Sequence, residues 1–276
     1  MSKGYVIVAC GEEYIKQAYL CALSIKTTQT AVTSVSLITD EAIDKKYAQV
    51  FDNVIFEETT DTRRYATQLR SKVYDLSPYD ETILLDSDML FTSDVSDWWE
   101  LLADKDLFFT TTVKTYRNVT TDNIFYRELF KKLDMPETYV AIAYFKKSEL
   151  AGIFYSLVKL ITSNEKQYYQ EILDTKKDIT PSFDFTCSLV TKMLDIEDRV
   201  TRKNLNVPTF VHLKGQNQNW ESGTHDWMTK VNRFVDNELN VFIGNYKQTG
   251  VLHYTHENFV TDEIIKTYED YYAKSS

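Results

Sequence analysis

The chain has 276 residues and a formal net charge of −10, from 31 Lys and Arg against 41 Asp and Glu. Hydrophobic residues make up 43% and aromatic residues 14%, a composition that excludes a disordered chain and allows a sizeable core. The acidic balance argues against a general polyanion-binding protein, because phosphate contacts need clustered Lys and Arg.

The apolar pattern of the first half alternates between strands and helices. Short β-branched runs predict strands, and apolar residues three and four apart predict helices. The predicted strands are 5–10, 34–39, 53–56 and 82–85, and the predicted helices are 12–28 and 63–76. This alternation predicts an α/β fold with a mostly parallel central sheet and helices on both faces.

The second half is less regular but contains no linker and no repeat. Its predicted strands are 107–113, 138–145, 210–213 and 251–254, and its predicted helices are 148–174, 188–194 and 257–273. We therefore predict a single domain over residues 1–276. Its nucleotide-type α/β half would span 1–105, followed by a second half at 106–256 and a C-terminal helix at 257–276.

Cysteine and glycine usage excludes several common sites. Cys10, Cys21 and Cys187 lie in apolar contexts without a Cys-x-x-Cys motif, so we expect buried thiols and a reducing compartment. No segment approaches the roughly 18 apolar residues of a membrane span, and a cytoplasmic location is expected. The seven glycines form neither a Gly-x-Gly-x-x-Gly motif nor a Walker loop. If a nucleotide binds, other groups must hold its phosphates.

The motif with the clearest chemistry is Asp86-Ser87-Asp88, directly after the predicted strand 82–85. Two carboxylates at this spacing can point into one crevice at the carboxyl ends of parallel strands, where open α/β sheets bind ligands. With no Lys or Arg beside them in the sequence, they repel one another unless a cation lies between them. Such oxygen ligands suit Mg²⁺ or Mn²⁺ shared with substrate phosphates. The alternative is a pair of solvated turn acids.

This region resembles the nucleotide-sugar glycosyltransferases of the GT-A fold, and most closely glycosyltransferase family 8, the glycogenin and galactosyltransferase group. The resemblance covers most of residues 5–220, weakly between its motifs. Those motifs are the Leu-Asp-Ser-Asp strand end, Asp94 to Trp98, the first strand and helix, Arg70-Ser71-Lys72, and His212 to Trp220. Gln218-Asn219 stands in place of the family's Lys-Pro, and Tyr139-Val140-Ala141 in place of its Asn-x-Gly. We therefore expect a divergent member, of viral or phage-like kind.

The resemblance implies a metal-dependent, retaining transfer of a sugar from a nucleoside-diphosphate sugar, with a UDP-sugar as the usual donor. The implied ion is Mn²⁺ or Mg²⁺. Its implied ligands are Asp86, Asp88 and His212, with His253 as the alternative third ligand. The half at 1–105 would then bind the donor, and the half at 106–256 would face the acceptor.

The resemblance also implies donor contacts and catalytic residues. The implied donor-binding residues are Ala9, Cys10, Gly11, Tyr14, Arg70, Lys72, Ser87, Lys214 and Gly215. The implied catalytic residues are Asp184 and Lys72. Five of the implied site residues have a structural alternative: Tyr14 in the core, Asp184 as a helix N-cap, Arg70 and Lys72 on a solvated helix face, and His212, the implied metal ligand, as a buried histidine.

The acceptor is open between a glycan, a protein and a modified nucleic-acid base. A nucleic acid would need a local basic strip, for which the candidates are Lys114, Arg117, Arg127, Lys131 and Lys132; a solvated helix face is the alternative. Two other functions also stay open. One is a sugar-nucleotide binding module without turnover. The other is a haloacid-dehalogenase-type phosphatase, although this class favours Thr or Val where the chain has Leu90.

Overall fold

The computed structural model describes residues 1–59, 65–121, 128–173, 182–201, 208–213, 231–255 and 257–275. The first half contains strands β1 (Lys3–Val8), β2 (Val35–Thr39), β3 (Asn53–Phe56), β4 (Glu81–Leu85) and β5 (Met89–Phe91). Its helices are α1 (Glu12–Thr28), α2 (Lys45–Ala48), α3 (Tyr65–Ser71), α4 (Val73–Leu76) and α5 (Trp98–Leu101).

The second half contains strands β6 (Leu107–Thr110), β7 (Val113–Lys114), β8 (Thr120–Thr121), β9 (Tyr139–Lys146), β10 (Val211–His212), β11 (Arg233–Val235), β12 (Val241–Ile243), β13 (Tyr246–Lys247) and β14 (Val251–His253). Its helices are α6 (Glu128–Lys132), α7 (Glu149–Ser163), α8 (Glu165–Leu173), α9 (Phe183–Met193), α10 (Glu197–Val200) and α11 (Asp262–Ser275), with a 3₁₀ turn at Glu257–Phe259.

The central sheet has six strands in the order β3-β2-β1-β4-β9-β6. β3, β2, β1 and β4 pair in parallel, and β9 runs antiparallel to both of its neighbours, β4 and β6. The predicted α/β class with a mostly parallel sheet is therefore confirmed. The carboxyl ends of the parallel strands meet at one edge of the sheet, which places the segments after β1, β2, β3 and β4 side by side.

Alternating residues of the central strands enter two different cores. Tyr5 and Ile7 of β1 belong to a cluster that includes α1, whereas Val6 and Val8 belong to a second cluster that includes α7 and α9. This follows from the two-residue period of a strand whose two faces are both covered. It explains why β4 is buried along its whole length.

A second sheet of five strands has the order β5-β14-β10-β7-β8. β14 runs antiparallel to β5 and parallel to β10. β11, β12 and β13 form a separate three-stranded antiparallel sheet. The consequence for the site is that β14, late in the chain, lies beside the strand that follows Asp88.

Several predicted element bounds were wrong. The helix predicted at 63–76 is divided between α3 and α4, and the one predicted at 148–174 ends its first part at Ser163 before α8 begins. α9 begins at Phe183 rather than 188, because the Ser182 side chain caps it by accepting from the Phe185 N–H at 3.2 Å. The last helix begins at Asp262 rather than 257.

The C-terminal helix α11 is tied to the first helix by polar contacts. Lys16 pairs with Asp262 at 2.8 Å, and the Tyr19 hydroxyl donates to Glu269 at 2.9 Å. Lys46 reaches the same Glu269 carboxylate at 2.8 Å. Within the described residues, no helix combines the length and apolar character that crossing a membrane requires.

The three cysteines are buried and unpaired, as the sequence predicts. Burial, and then the neighbouring Asp40, raises the pKa of the Cys10 thiol to about 12. Burial also raises the pKa of the Cys21 and Cys187 thiols. It raises the pKa of the Tyr144 hydroxyl as well, and the hydrogen bond that this hydroxyl donates to Glu81 acts in the same direction. The folded state therefore favours the protonated form of all four groups.

We expect stability to fall in alkali for this reason. A group whose pKa is raised by folding contributes stability that is complete below its unfolded pKa and lost as pH rises towards its folded value. The free energy of unfolding, measured in urea, should therefore be steady near neutrality and decline above about pH 9, the ordinary thiol pKa. A flat profile up to pH 11, or rapid thiol labelling of the native protein near neutrality, would contradict the burial of these groups.

Candidate metal and donor site

Asp86 and Asp88 lie in a short turn between two buried strands, β4 and β5. The Asp86 N–H donates to the Ala141 carbonyl of β9 at 3.1 Å, which extends the sheet pairing by one residue. Both side chains are only 23% exposed. Ser87 is buried between them, with its hydroxyl 3.5 Å from the Gln17 amide oxygen of α1. The carboxylates are thus held in place, unlike solvated turn acids.

His253 is brought to the carboxylates by strand pairing. In the β5–β14 register His253 lies opposite Met89, and the Tyr254 N–H donates to the Asp88 carbonyl at 3.2 Å. The His253 Nε2 atom lies 3.0 Å from Asp88 Oδ1 and 3.8 Å from Asp86 Oδ2. The three side chains therefore face one another at the carboxyl edge of the sheet.

This group fits a divalent cation. One ligand atom from each of Asp86, Asp88 and His253 lies within 4.8 Å of the other two. Ligand atoms held at about 2.1 Å by one ion are at most about 4.2 Å apart, so a small inward movement would suffice. Carboxylate oxygens suit Mg²⁺ and Mn²⁺, and imidazole nitrogen is a ligand typical of transition metals.

The structure places His253, the alternative third ligand, beside Asp86 and Asp88, and does not place His212 there. His212 is its cross-strand neighbour on β10, with the two ring centroids 4.7 Å apart, and is not a member of the three-residue group. Phe210 packs against both imidazoles at centroid distances of 5.8 and 5.7 Å. Gly215 and Trp220, whose spacing favoured His212 in the sequence, lie outside the described residues, as does Lys214.

Within the described part of the chain, the second ring nitrogen of His253 takes no part in orienting the imidazole. This Nδ1 atom is buried and has no hydrogen-bond partner among the described residues. Metal-binding histidines commonly fix their orientation by donating this second N–H to an oxygen. Here the rings of Phe210 and His212 hold the imidazole from the side while its Nε2 faces the carboxylates.

Arg70 provides a positive charge that the local sequence does not reveal. From α3 its guanidinium pairs with Asp86 Oδ1, donates to the Val140 carbonyl at 3.3 Å and lies over the Phe183 ring at 5.3 Å. Burial lowers the pKa of Arg70, while Asp184 and Asp88 act in the opposite direction. The inference that the two carboxylates lack a basic neighbour was therefore wrong, and Arg70 is not on a solvated helix face. Asp86 presents one oxygen to Arg70 and the other to His253.

Asp184 joins the same assembly through the backbone of β9. Its Oδ1 accepts from the Val140 N–H at 2.8 Å, so Val140 contacts Asp184 with its N–H and Arg70 with its carbonyl. The N-cap of α9 is Ser182, and Asp184 lies in the first turn. The alternative role of Asp184 as an N-cap is therefore wrong, because its carboxylate turns towards the sheet.

The remaining donor residues lie along the edge at the ends of β1 and β3. Ala9 and Cys10 are buried at the end of β1, and Gly11 caps α1 with a φ of 91°, a conformation that strains a side chain. Tyr14 is 57% exposed, so its alternative place in the core was wrong. Lys72 pairs with Glu57, just after β3, at 2.6 Å.

Sequence comparison yields no relative: no protein-family model matches the chain, and neither does any curated protein. Solved structures do match. Mouse xyloside xylosyltransferase 1 superposes with a TM-score of 0.51 at 9% identity, over 92% of this chain and 97% of that one. The galactosyltransferase LgtC, solved with donor and acceptor sugar analogues, gives a TM-score of 0.50 at 13% identity, over 97% and 95% of the two chains.

The glycosyltransferase GlyE of Streptococcus pneumoniae also matches, with a TM-score of 0.42 and 16% identity. That match covers 74% of this chain and 46% of GlyE, so the chain spans about half the length of that protein. The full-length likenesses to xyloside xylosyltransferase 1 and LgtC show that the chain has the GT-A glycosyltransferase fold, as its sequence predicts.

Proposed function

We propose that this protein is a metal-dependent glycosyltransferase that takes a sugar from a nucleoside-diphosphate sugar, with a UDP-sugar as donor. The observation that carries the proposal is the convergence of Asp86, Asp88 and His253 at the carboxyl edge of a GT-A sheet. LgtC, which has this fold, was solved with donor and acceptor sugar analogues. The cluster supplies the ligands that a donor diphosphate needs in order to share a cation with the protein.

Some residues of the chain would bind the cation, and others would orient its ligands. Asp88 Oδ1, His253 Nε2 and Asp86 Oδ2 would hold it, because these atoms face one another. Arg70 would keep Asp86 oriented through its other oxygen. A bound Mn²⁺ or Mg²⁺ would supply Lewis-acid stabilisation of the departing diphosphate.

Nucleoside binding would use the end of β1. At Ala9–Gly11 the chain turns into α1, and the exposed ring of Tyr14 is available to pack against a flat base. Lys72 would leave its ion pair with Glu57 and bind the donor phosphates instead. Ser87 would stabilise the turn between Asp86 and Asp88 through its contact with Gln17. Lys214 and Gly215, outside the described residues, are proposed to complete the diphosphate contacts.

Asp184 is the proposed catalytic carboxylate on the sugar side. The Val140 N–H fixes it beside Arg70, so its position is set by the same strand that supports the metal group. We propose that it faces the transferred sugar and that the anomeric configuration is retained. Product stereochemistry, followed by NMR of the first-formed glycoside, tests this part separately.

Ligand binding tests the function directly. We expect UDP and a UDP-sugar to raise the melting temperature with Mn²⁺ and to have no effect with EDTA, whereas GDP, CDP and ADP act weakly or not at all. Saturation at about 100 times Kd stabilises a protein by about 2.7 kcal/mol, or on the order of 5–10 °C at this chain length. Release of UDP from the bound donor, by transfer or by slow hydrolysis, would show turnover.

The other outcomes select the alternatives. Metal-dependent donor binding without any UDP release would indicate a binding module. Phosphate release from simple phosphomonoesters, with no nucleotide-induced stabilisation, would indicate the phosphatase and refute the proposal. The structural likenesses are to glycosyltransferases and therefore favour transfer.

A further inference from the structure

A second concave site lies beside the carboxyl end of β6. It is a cavity of about 650 Å³ bounded by the residues after β6, by α6 and the segment before β9, and by the end of α9. Its lining includes Thr111, Thr112, Phe130, Met135, Glu137 and Lys192. It contains none of the metal-group residues, and the donor site described above does not use it.

The cavity adjoins the same sheet edge as the metal group. β4 and β6 both run antiparallel to β9, so they point the same way, and Thr111 leaves the sheet at the edge where Asp86 does. Two strand spacings separate β4 from β6, which amounts to about 10 Å. Glu137 lies just before β9 and so close in sequence to Val140, which contacts Arg70 and Asp184. A short oligosaccharide could span this distance.

The walls of the cavity carry polar groups that form no hydrogen bond with other described residues. The hydroxyls of Thr111 and Thr112 and the carboxylate of Glu137 are half-buried, and none has a hydrogen bond to another described residue. Phe130, Met135 and Pro136 lie beneath these groups and are almost completely buried, so the polar groups are the part of the lining that a ligand can reach. Unpaired hydroxyl and carboxylate groups on the walls of a concave site suit a ligand that carries many hydroxyls, such as a sugar.

The charge of the described lining disfavours a polyanion. Among the described residues, four acidic side chains line the cavity against two lysines: Asp134, Glu137, Asp195 and Glu197 against Lys131 and Lys192. Lys192 is already engaged by the carbonyl oxygens of Leu133 and Asp134. Phosphate groups would therefore meet a net negative wall.

The proposed basic strip also fails to form a nucleic-acid surface in the described residues. Lys131 lines the acidic cavity, and Arg117 stacks on Tyr116 and Tyr246 at 5.5 and 5.7 Å. Arg127 lies outside the described residues. The alternative of a solvated helix face applies to the exposed Lys131 and Lys132 of α6, whereas Lys114 lies on β7 and Arg117 in a turn.

We propose that this cavity binds a neutral carbohydrate, as the part of a glycan acceptor that lies away from the bond being formed. The acceptor role rests on the proposed glycosyltransferase function, whereas carbohydrate binding itself does not. Glu137 accepts hydrogen bonds from sugar hydroxyls, and the Thr112 hydroxyl donates to a sugar oxygen.

Glycan binding by three variants tests the proposal. An array of neutral and of sulfated or phosphorylated oligosaccharides is probed with the wild-type protein, and the best neutral oligosaccharide is then titrated by calorimetry. We expect Glu137→Gln and Thr112→Val each to raise its Kd about tenfold, because each removes a hydrogen bond to the ligand. The surface control Glu100→Gln should leave the Kd unchanged, and all variants should keep the wild-type melting temperature.

Donor binding, measured in parallel, separates the two proposals. The cavity variants should bind UDP with Mn²⁺ as the wild type does, and a wild type that fails to bind UDP would refute the proposed function without touching the carbohydrate site. Absence of neutral-glycan binding at millimolar concentration, preference for anionic glycans, or glycan binding unaffected by both cavity variants would each overturn the carbohydrate proposal.

Discussion

Asp88→Asn should abolish metal-dependent nucleotide binding while leaving the protein folded. Asp88 Oδ1 is the oxygen nearest to His253 Nε2, at 3.0 Å, and the substitution removes its negative charge without changing its size. We expect the Kd for Mn²⁺ to rise by about 100-fold or more, since even residues that only orient a ligand contribute 10–100-fold. Calorimetric titration with Mn²⁺, followed by UDP, measures the loss, and the melting temperature reports the fold.

Matched variants locate the third ligand. Asp97→Asn changes an exposed carboxylate nearby in the chain and should leave Mn²⁺ binding intact. His253→Gln should weaken Mn²⁺ binding as Asp88→Asn does, whereas His212→Gln should act mildly, by loosening the ring beside it. The opposite order for the two histidines would show that the ligand set drawn from the structure is wrong.

Arg70→Met should destabilise the folded protein strongly. The guanidinium is 15% exposed and compensates the Asp86 carboxylate, which is 23% exposed. Removing one partner of a largely buried ion pair leaves the other charge uncompensated, at a cost of about 3–5 kcal/mol. In urea unfolding we expect a loss of this size, with a fall in melting temperature on the order of 10 °C.

Two further variants show whether the uncompensated charge is the cause. Arg70→Met combined with Asp86→Asn should recover part of the lost stability, because the Asp86 charge is removed while the charges of Asp88 and Asp184, which also interact with Arg70, remain. Arg199→Met breaks an exposed pair with Asp106, 3.7 Å apart, and should cost less than about 1 kcal/mol. Equal losses for Arg70→Met and Arg199→Met would mean that the Arg70 pair is as weak as a surface pair.

Much of the central sheet could be predicted because its signals are local. Buried parallel strands appear as short apolar runs, and β2 and β3 begin and end within one residue of the predicted ranges. The helix bounds were less predictable. Apolar periodicity continues across the breaks after α3 and α7, and the start of α9 depends on one capping side chain, Ser182.

The site could be predicted only where it is contiguous in sequence. Asp86 and Asp88 follow β4 directly, so their convergence follows from the strand itself. The choice of His253 over His212 depends on the pairing of β14 with β5, a long-range register that local periodicity does not specify. The apolar run Met89–Phe91 could have indicated this pairing, because a strand directly after Asp88 needs a partner strand elsewhere in the chain. Arg70, Val140 and Phe183 come together only through packing of α3 and α9 on β9.

The placement of β14 also sets when this site can exist. Arg70, Asp86 and Asp88 are synthesised early in translation. All six strands of the central sheet have also been synthesised before His253 is added. During synthesis the nascent chain therefore carries an acidic turn with its arginine but without its imidazole, and without the strand that covers β5. The proposed three-ligand site can therefore form only after residue 253 has been translated.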